Sequence, residues 1–256
     1  MENETLLVEK QGFVAILTLN RPPTNAVSHR MLQEIGAALD EVESDREARV
    51  LVITGAGDRA FSSGMDVADS IAHPDVGEIG RALWTRVDLF GKPTIAAVNG
   101  HALGGGCELA LACHFRFMAD NPKALIGCPE VNLGIAPGWG GNARMTRLLG
   151  RAKALDLILN ARRLSPREAL EAGLVDRLFP PGELMARVME YAAGISGRAP
   201  LAVQTAVRSS TAFLAGGIDA ALTAEEEGNA ACVASRDASE GFAAFIEKRV
   251  PVFTGE

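Results

Sequence analysis

The segment Val50-Leu51-Val52-Ile53-Thr54 is almost continuously apolar and closes on Gly55. Successive side chains of a strand point to opposite faces, so a strand with no polar face has to be covered on both sides, as in a parallel sheet between two layers. A second such run, Thr94-Ile95-Ala96-Ala97-Val98, lies further along. Around these runs the period changes to that of a helix. Met31, Leu32, Ile35, Leu39 and Val42 share one helical face behind the capping residue Ser28, and helices are predicted within 76–90 and over 105–113. A hairpin of 6–9 and 13–19 about Gln11-Gly12, and short strands near 115–118 and 124–126, complete this part. Strands separated by helices make an α/β protein of repeated β-to-α units, and no strict sequence repeat accompanies them.

From Leu148 onward the pattern is helical, with helices predicted at 151–159, 165–172, 182–193, 200–213 and 218–234. Ser165-Pro166-Arg167-Glu168 combines a capping serine, a proline at the first helical position and a glutamate placed to reach back. Ala-rich faces on these helices suit packing on the core or on a second subunit, and both readings stand. A chain of 256 residues accommodates one large domain with an appendage.

A formal net charge of −7 without a basic run argues against a dedicated nucleic-acid or anionic-membrane surface, while leaving room for one phosphate-bearing ligand. Residues 1–10 lack the basic start and apolar run of a signal peptide. No stretch approaches the ~20 apolar residues of a membrane span, so a cytoplasmic enzyme is expected. The four cysteines, Cys107, Cys113, Cys128 and Cys232, are expected as reduced thiols. With His101 and His114 they raise the question of a metal site. Their spacing matches no metal-binding pattern, and six residues of helix turn Cys107 and Cys113 about 240° apart, so no metal is expected.

Two glycine clusters follow strands. Gly55-Ala56-Gly57-Asp58-Arg59-Ala60 fits the spacing of a dinucleotide-binding loop, but Phe61-Ser62-Ser63-Gly64 stands where a helix should open. A glycine turn is the simpler reading. The second cluster, Gly104-Gly105-Gly106, lies between the strand ending at Val98 and the apolar run from Leu109 to Ala112. Consecutive glycines let a backbone approach a ligand and leave amide hydrogens free at a helix start, which favours negative charge. The lysine and hydroxyl of a phosphate-binding loop are absent. Glu108, in the first turn of this otherwise apolar helix, is either a surface cap or a buried acid–base group, and the local sequence does not choose between them.

Asn99-Gly100-His101-Ala102-Leu103-Gly104-Gly105-Gly106-Cys107-Glu108-Leu109-Ala110 closely resembles the signature of the enoyl-CoA hydratase/isomerase, or crotonase, superfamily. Other segments resemble that family in the same order. They are Asn20-Arg21-Pro22 with Asn25-Ala26, then Ala60-Phe61-Ser62-Ser63-Gly64-Met65-Asp66, then Lys92-Pro93-Thr94-Ile95-Ala96-Ala97-Val98. Pro129-Glu130-Val131-Asn132-Leu133-Gly134 leads into Pro137-Gly138-Trp139-Gly140-Gly141, and late elements recur within 169–176 and 240–245. The resemblance therefore spans essentially the whole chain.

It implies a spiral of repeated ββα units with a C-terminal all-helical region, divided into a core over 1–198 and a helical oligomerisation region over 199–256, assembled as a trimer or paired trimers. It further implies an acyl-CoA thioester substrate and no cofactor beyond that substrate's own coenzyme A. The thioester oxygen would be held by the backbone amides of Met65 and Gly105, an oxyanion hole of preorganised donors. Glu108 would activate the water that attacks C3 and Glu130 would supply the proton to C2. Ala60, Ser62, Gly64, Asp66, Val67 and Ala68 are expected along the coenzyme or substrate, with Gly104, Pro129 and Trp139. Hydration of a 2-enoyl-CoA is the leading activity. Double-bond isomerisation by one carboxylate, and non-catalytic acyl-CoA binding or assembly, are the rivals.

The chain also departs from the family pattern. The link between Glu108 and Glu130 is about two residues longer, with the surplus assigned to 119–123. His114 stands where an aspartate is common and is read as a packing residue before a third proton carrier. Trp139 occupies a position often small, as pocket wall or core residue. Lys92 and Lys248 are weighed as phosphate partners against plain solvated lysines, and 70–90 as the cover of the acyl group.

Overall fold

The computed structural model describes residues 5–256. Residues 1–4, the start of the stretch read as lacking a signal peptide, lie outside the described residues. Strands β1 (Leu6–Gln11) and β2 (Val14–Leu19) form the antiparallel hairpin expected about Gly12. Helix α1 (His29–Ser44) follows, its first turn closed by Ser28, whose Oγ accepts the Met31 N–H at 3.2 Å. Strand β3 (Val50–Gly55) is buried on all six residues, as its unbroken apolar run requires.

The chain then makes a turn that its sequence does not announce. Gly55-Ala56-Gly57 leads into a three-residue strand, β4 (Ala60–Ser62), so no helix opens there and no dinucleotide loop exists. After β4 come α2 (Val67–Ala72) and α3 (Val76–Asp88). The next turn repeats the plan with β5 (Thr94–Val98), β6 (His101–Leu103) and α4 (Gly105–Ala112). A third has β7 (Phe115–Ala119), β8 (Ile126–Gly127), a 3₁₀ turn at Glu130–Leu133 and α5 (Gly141–Leu149). In each turn the first strand joins a six-stranded sheet, order β1-β2-β3-β5-β7-β9, and the second joins a three-stranded sheet, order β4-β6-β8. Both are parallel apart from the opening hairpin. This is the ββα spiral expected of the chain.

After α6 (Arg151–Leu159) and α7 (Pro166–Ala172), strand β9 (Arg177–Phe179) closes the large sheet beside β7. Helix α8 (Leu184–Ser196) covers one face of that sheet, packing Leu184, Val188 and Ala192 on Val14, Ile16, Val50, Val52, Ile95, Ala97 and Phe117. The opposite face meets α1, α3 and α4 in the main core. Each large side chain buried in these layers contributes roughly 1.5–3 kcal/mol.

Two helices close the chain, α9 (Pro200–Val233) and α10 (Arg236–Glu247). The separate helices expected at 200–213 and 218–234 are the two arms of α9, broken by non-helical backbone at Gly217. Few of their residues are buried, and Phe213, Leu214, Ile218, Leu222, Phe242, Phe245 and Ile246 stand exposed. Among the described residues no helix is long and apolar enough to cross a membrane.

Candidate active site

Segments that follow the carboxyl ends of β3, β5 and β7 converge on a cavity of about 410 Å³. The first supplies Ser63, Met65 and Val67, the second Leu103, Gly104, Gly105 and Glu108, and the third Pro129, Glu130 and the run to Trp139. Helix α3 adds Gly77.

The first segment is fixed before it reaches the cavity. Asn25 Nδ2 donates to the carbonyls of Ala60 (2.8 Å) and Ala56 (3.0 Å), and Ser62 Oγ donates to the Asn25 carbonyl at 2.8 Å. A backbone bridge joins Val27 to Met65, using the Gly64 carbonyl and the Asp66 amide, so the Met65 amide is left out of it. The Gly105 amide is also outside its helix's ladder, because Gly105 is the first residue of α4. These two amides are close neighbours. A Cβ built on Gly105 would stand 3.4 Å from the Met65 nitrogen, and one on Gly64 would stand 2.9 Å from the Gly105 nitrogen and 2.7 Å from the Leu103 carbonyl oxygen. Gly64 also has φ +93°, so only glycine fits both the conformation and the space.

Glu108 is a buried acid–base candidate and not a surface cap. Its Oε1 accepts the Trp139 and Gly141 N–H groups, each at 2.8 Å. Burial holds its pKa above the ordinary carboxylate range, and those two donors and the Arg144 charge offset only part of that rise. Glu130 is set differently. Its Oε2 is buried without a partner among the described residues, and burial, with the Glu108 charge as a lesser cause, raises its carboxyl to about 7. Both carboxylates line the same cavity, and the segment between them turns after β7, where Asp120 N–H bonds the Phe179 carbonyl at 2.8 Å.

Trp139 is wall and core residue at once. It lines the cavity yet is 4% exposed, and its ring packs edge-on against Trp84 with centroids 5.4 Å apart. Trp84 in turn donates Nε1–H to the Gly105 carbonyl at 2.9 Å. The expected cover over 70–90 reaches the cavity through Gly77 alone, and Ile71 of α2 is 80% exposed.

The other singled-out residues have structural employment. Ala60 and Ser62 are buried in β4, and Gly64 shapes the turn that follows. Asp66 caps α2 and pairs with Arg21 at 2.6 Å, and Ala68, whose amide it receives, is exposed. Lys92 is neither solvated nor placed for a phosphate. It is buried, and its Nζ donates to the Val42 (2.6 Å) and Asp45 (2.7 Å) carbonyls at the end of α1. Lys248 is exposed in a left-handed cap after α10. His114 packs against β5, where its Nδ1 accepts the Thr94 N–H at 3.0 Å, and burial pushes its pKa down to about 4. Cys107 and Cys128 are buried side by side behind the two glutamates, outside the cavity lining.

The sequence reading did not pick out Leu133, Ile135, Ala136 or Gly138 as cavity residues, although the conspicuous run from Pro129 to Gly141 that contains them was the available signal. It also missed Asp88 and Arg144, which lie behind Glu108 and carry no local pattern.

Comparison with known proteins agrees with this geometry. A family model described as Enoyl-CoA hydratase/isomerase matches residues 9–256. The chain is 40% identical to a short-chain-enoyl-CoA hydratase of Clostridium acetobutylicum, with 97% of each chain covered. It is 38% identical to a crotonyl-CoA hydratase of Syntrophomonas wolfei, again over 97% of each. The crystal structure of an enoyl-CoA hydratase from Bacillus anthracis superposes with a TM-score of 0.94 at 34% identity, covering 98% of this chain and all of the other. With nearly its full length matched in sequence and in fold, the chain belongs to the enoyl-CoA hydratase/isomerase family.

Proposed function

We propose that the chain is an enoyl-CoA hydratase that adds water across the double bond of a 2-enoyl-CoA thioester, giving the 3-hydroxyacyl-CoA, or runs the reverse dehydration. The observation that carries this reading is the pairing of two carboxylates in unequal surroundings beside two adjacent backbone amides of residues that line the same cavity. The Met65 and Gly105 N–H groups receive the thioester oxygen and stabilise the charge that builds on it as C3 is attacked. Ionised Glu108 takes a proton from water, the resulting hydroxyl bonds to C3, and protonated Glu130 delivers its proton to C2. Both glutamates line the same cavity, and the proposed syn addition requires both to stand on one side of the double bond. Glu108 ends protonated and Glu130 ionised, and solvent restores the pair. No cofactor is required beyond the coenzyme A of the substrate.

Loss of the conjugated thioester absorbance of 2-butenoyl-CoA tests the reading. Glu108→Gln should abolish hydration. If that variant hydrates normally, Glu108 is not the base; if the unmodified protein never adds water, and the variant moves a 3-enoyl double bond at the unmodified rate, the chain is an isomerase instead. The exposed apolar faces of α9 and α10 support a trimer or pair of trimers built through residues 199–256, which light scattering on the purified chain tests directly.

A further inference from the structure

Both hydrogen bonds to Glu108 come from one turn, 139–141, and a buried ion pair lies on the other side of that turn. Arg144, in α5, is 6% exposed at its side chain; its Nε donates to Asp88 Oδ2 at 3.0 Å and its Nη1 to the Trp139 carbonyl at 2.7 Å. Asp88 ends α3 and is held in turn by Arg147, at 2.7 and 3.2 Å. Trp139 is therefore gripped at both main-chain polar atoms, its N–H by Glu108 and its C=O by Arg144.

The layers are in contact. A Cβ on Gly140 would stand 2.2 Å from Arg144 Nη1, and Gly140 has φ +101°. A Cβ on Gly141 would stand 2.9 Å from Glu108 Cγ. The turn is pressed between a carboxylate on one side and a guanidinium on the other, with no room to relax toward either.

We propose that Arg144, anchored by Asp88, is a positioning residue that holds the Trp139 and Gly141 amides on Glu108. The inference rests on the proposed role of Glu108 as base. An unsupported turn would let the two donors drift, and a buried carboxylate without donors takes up a proton. Arg144 also lends its positive charge to the ionised form.

The titratable groups packed around Glu108 and this pair are few. Glu130 lines the same cavity as Glu108, and the Glu108 charge raises its pKa as a lesser cause after burial. Cys107 lies beside Cys128, whose thiol is held well above its ordinary range by the Cys107 contact and burial. Around Asp88 and Arg144 are Arg147, Arg116, Cys113, raised to about 12 by burial, and neutral His114. The Cys113 and Cys128 thiols stay protonated and His114 stays neutral near neutral pH.

The experiment compares Arg144→Met, Arg144→Lys and Asp88→Asn with the unmodified enzyme, measuring kcat, KM and the acid limb of the pH–rate profile with 2-butenoyl-CoA. Arg144→Met should lower kcat about 10- to 100-fold with KM little changed, the scale of loss when a catalytic group is misplaced. Its acid limb should move upward by about one pH unit, because Glu108 loses support for its charge. Arg144→Lys keeps the charge without the fork and should lie between, and Asp88→Asn should displace the limb in the same direction by less. In parallel, the carboxyl carbon of isotopically labelled glutamate is titrated by NMR, with Glu108→Gln assigning the signal. Should Arg144→Met fail to fold, the other two variants carry the test. An acid limb and a Glu108 titration unmoved in every folded variant overturn the proposal. A displaced titration in a protein without hydratase activity leaves the positioning role standing and overturns the hydratase reading.

Discussion

Glu108 and Glu130 open on one cavity, but the chain around them is organised in opposite senses. Glu108 sits on a helix, is met by two amides, and has a guanidinium behind those amides. Glu130 opens a four-residue 3₁₀ turn and leaves one oxygen buried with no partner among the described residues. Donors aimed at a carboxylate favour its charged form, whereas burial without donors favours the neutral form, which carries its own O–H. In the proposed reaction the same residue type thus serves as base in one place and as acid in the other. What distinguishes them is the number of N–H groups, two on Glu108 against only its own backbone N–H on Glu130, and not distance from solvent alone.

The largest test of that contrast is Glu108→Gln, which should cost on the order of 10⁴ in kcat, the upper range for a general base, in a protein that still folds and binds the thioester. Glu130→Gln should cost on the order of 10³ and change the shape of the pH profile as well. Glu130 must be protonated to act, so the unmodified rate should fall as pH rises through about 7. In Glu130→Gln that basic limb should vanish while the acid limb set by Glu108 stays. If the basic limb persists, the roles are misassigned.

Gly64→Ala serves as a control that touches neither carboxylate. Its Cβ would press on the Leu103 carbonyl and the Gly105 nitrogen, so kcat should fall by on the order of 10² with both limbs where they were. The smallest effect is on stability. Glu130 has a folded pKa of about 7 against 4.5 for the free group, so its neutral form is the one the fold favours. Its stabilising contribution is present below 4.5 and is lost as pH rises through about 7. Replacing it by glutamine should therefore stabilise the protein at pH 8 and do nothing at pH 4. The shift alone would correspond to a ceiling of ~3 kcal/mol, which solvent screening at this half-buried site cuts to about 1, readable as a few degrees in Tm.

The large sheet was legible because β3 and β5 are apolar without interruption, a pattern that leaves little but burial on both faces. Of the small sheet only β8 was anticipated, by the strand read near 124–126; β4 and β6 were not, because no period can be read from three residues. At the site, Met65, Gly105, Glu108 and Glu130 were named through their motifs, and all four line the cavity. Arg144 and Asp88 were invisible for a physical reason: they are 56 residues apart, and an isolated arginine or aspartate on a helix looks like a solvated residue until the fold buries it. Lys92 misled in the same way, as its ammonium is spent on two carbonyls of a helix end. The choice posed for Trp139 between wall and core dissolved, because one ring has an edge for each.

The two thiols behind the glutamates acquire a meaning from the proposed chemistry. A conjugated thioester is an electrophile at C3, the carbon that the site activates for attack, and a thiolate is a stronger nucleophile than water. Cys107 precedes Glu108 and Cys128 lies two residues before Glu130, yet both are buried, neither lines the cavity, and the Cys128 thiol is held protonated. Nor does any lysine or histidine appear in that lining. The packing that fills the core behind the glutamates thereby also keeps the enzyme from being alkylated by its own substrate, so that water is the nucleophile left to react.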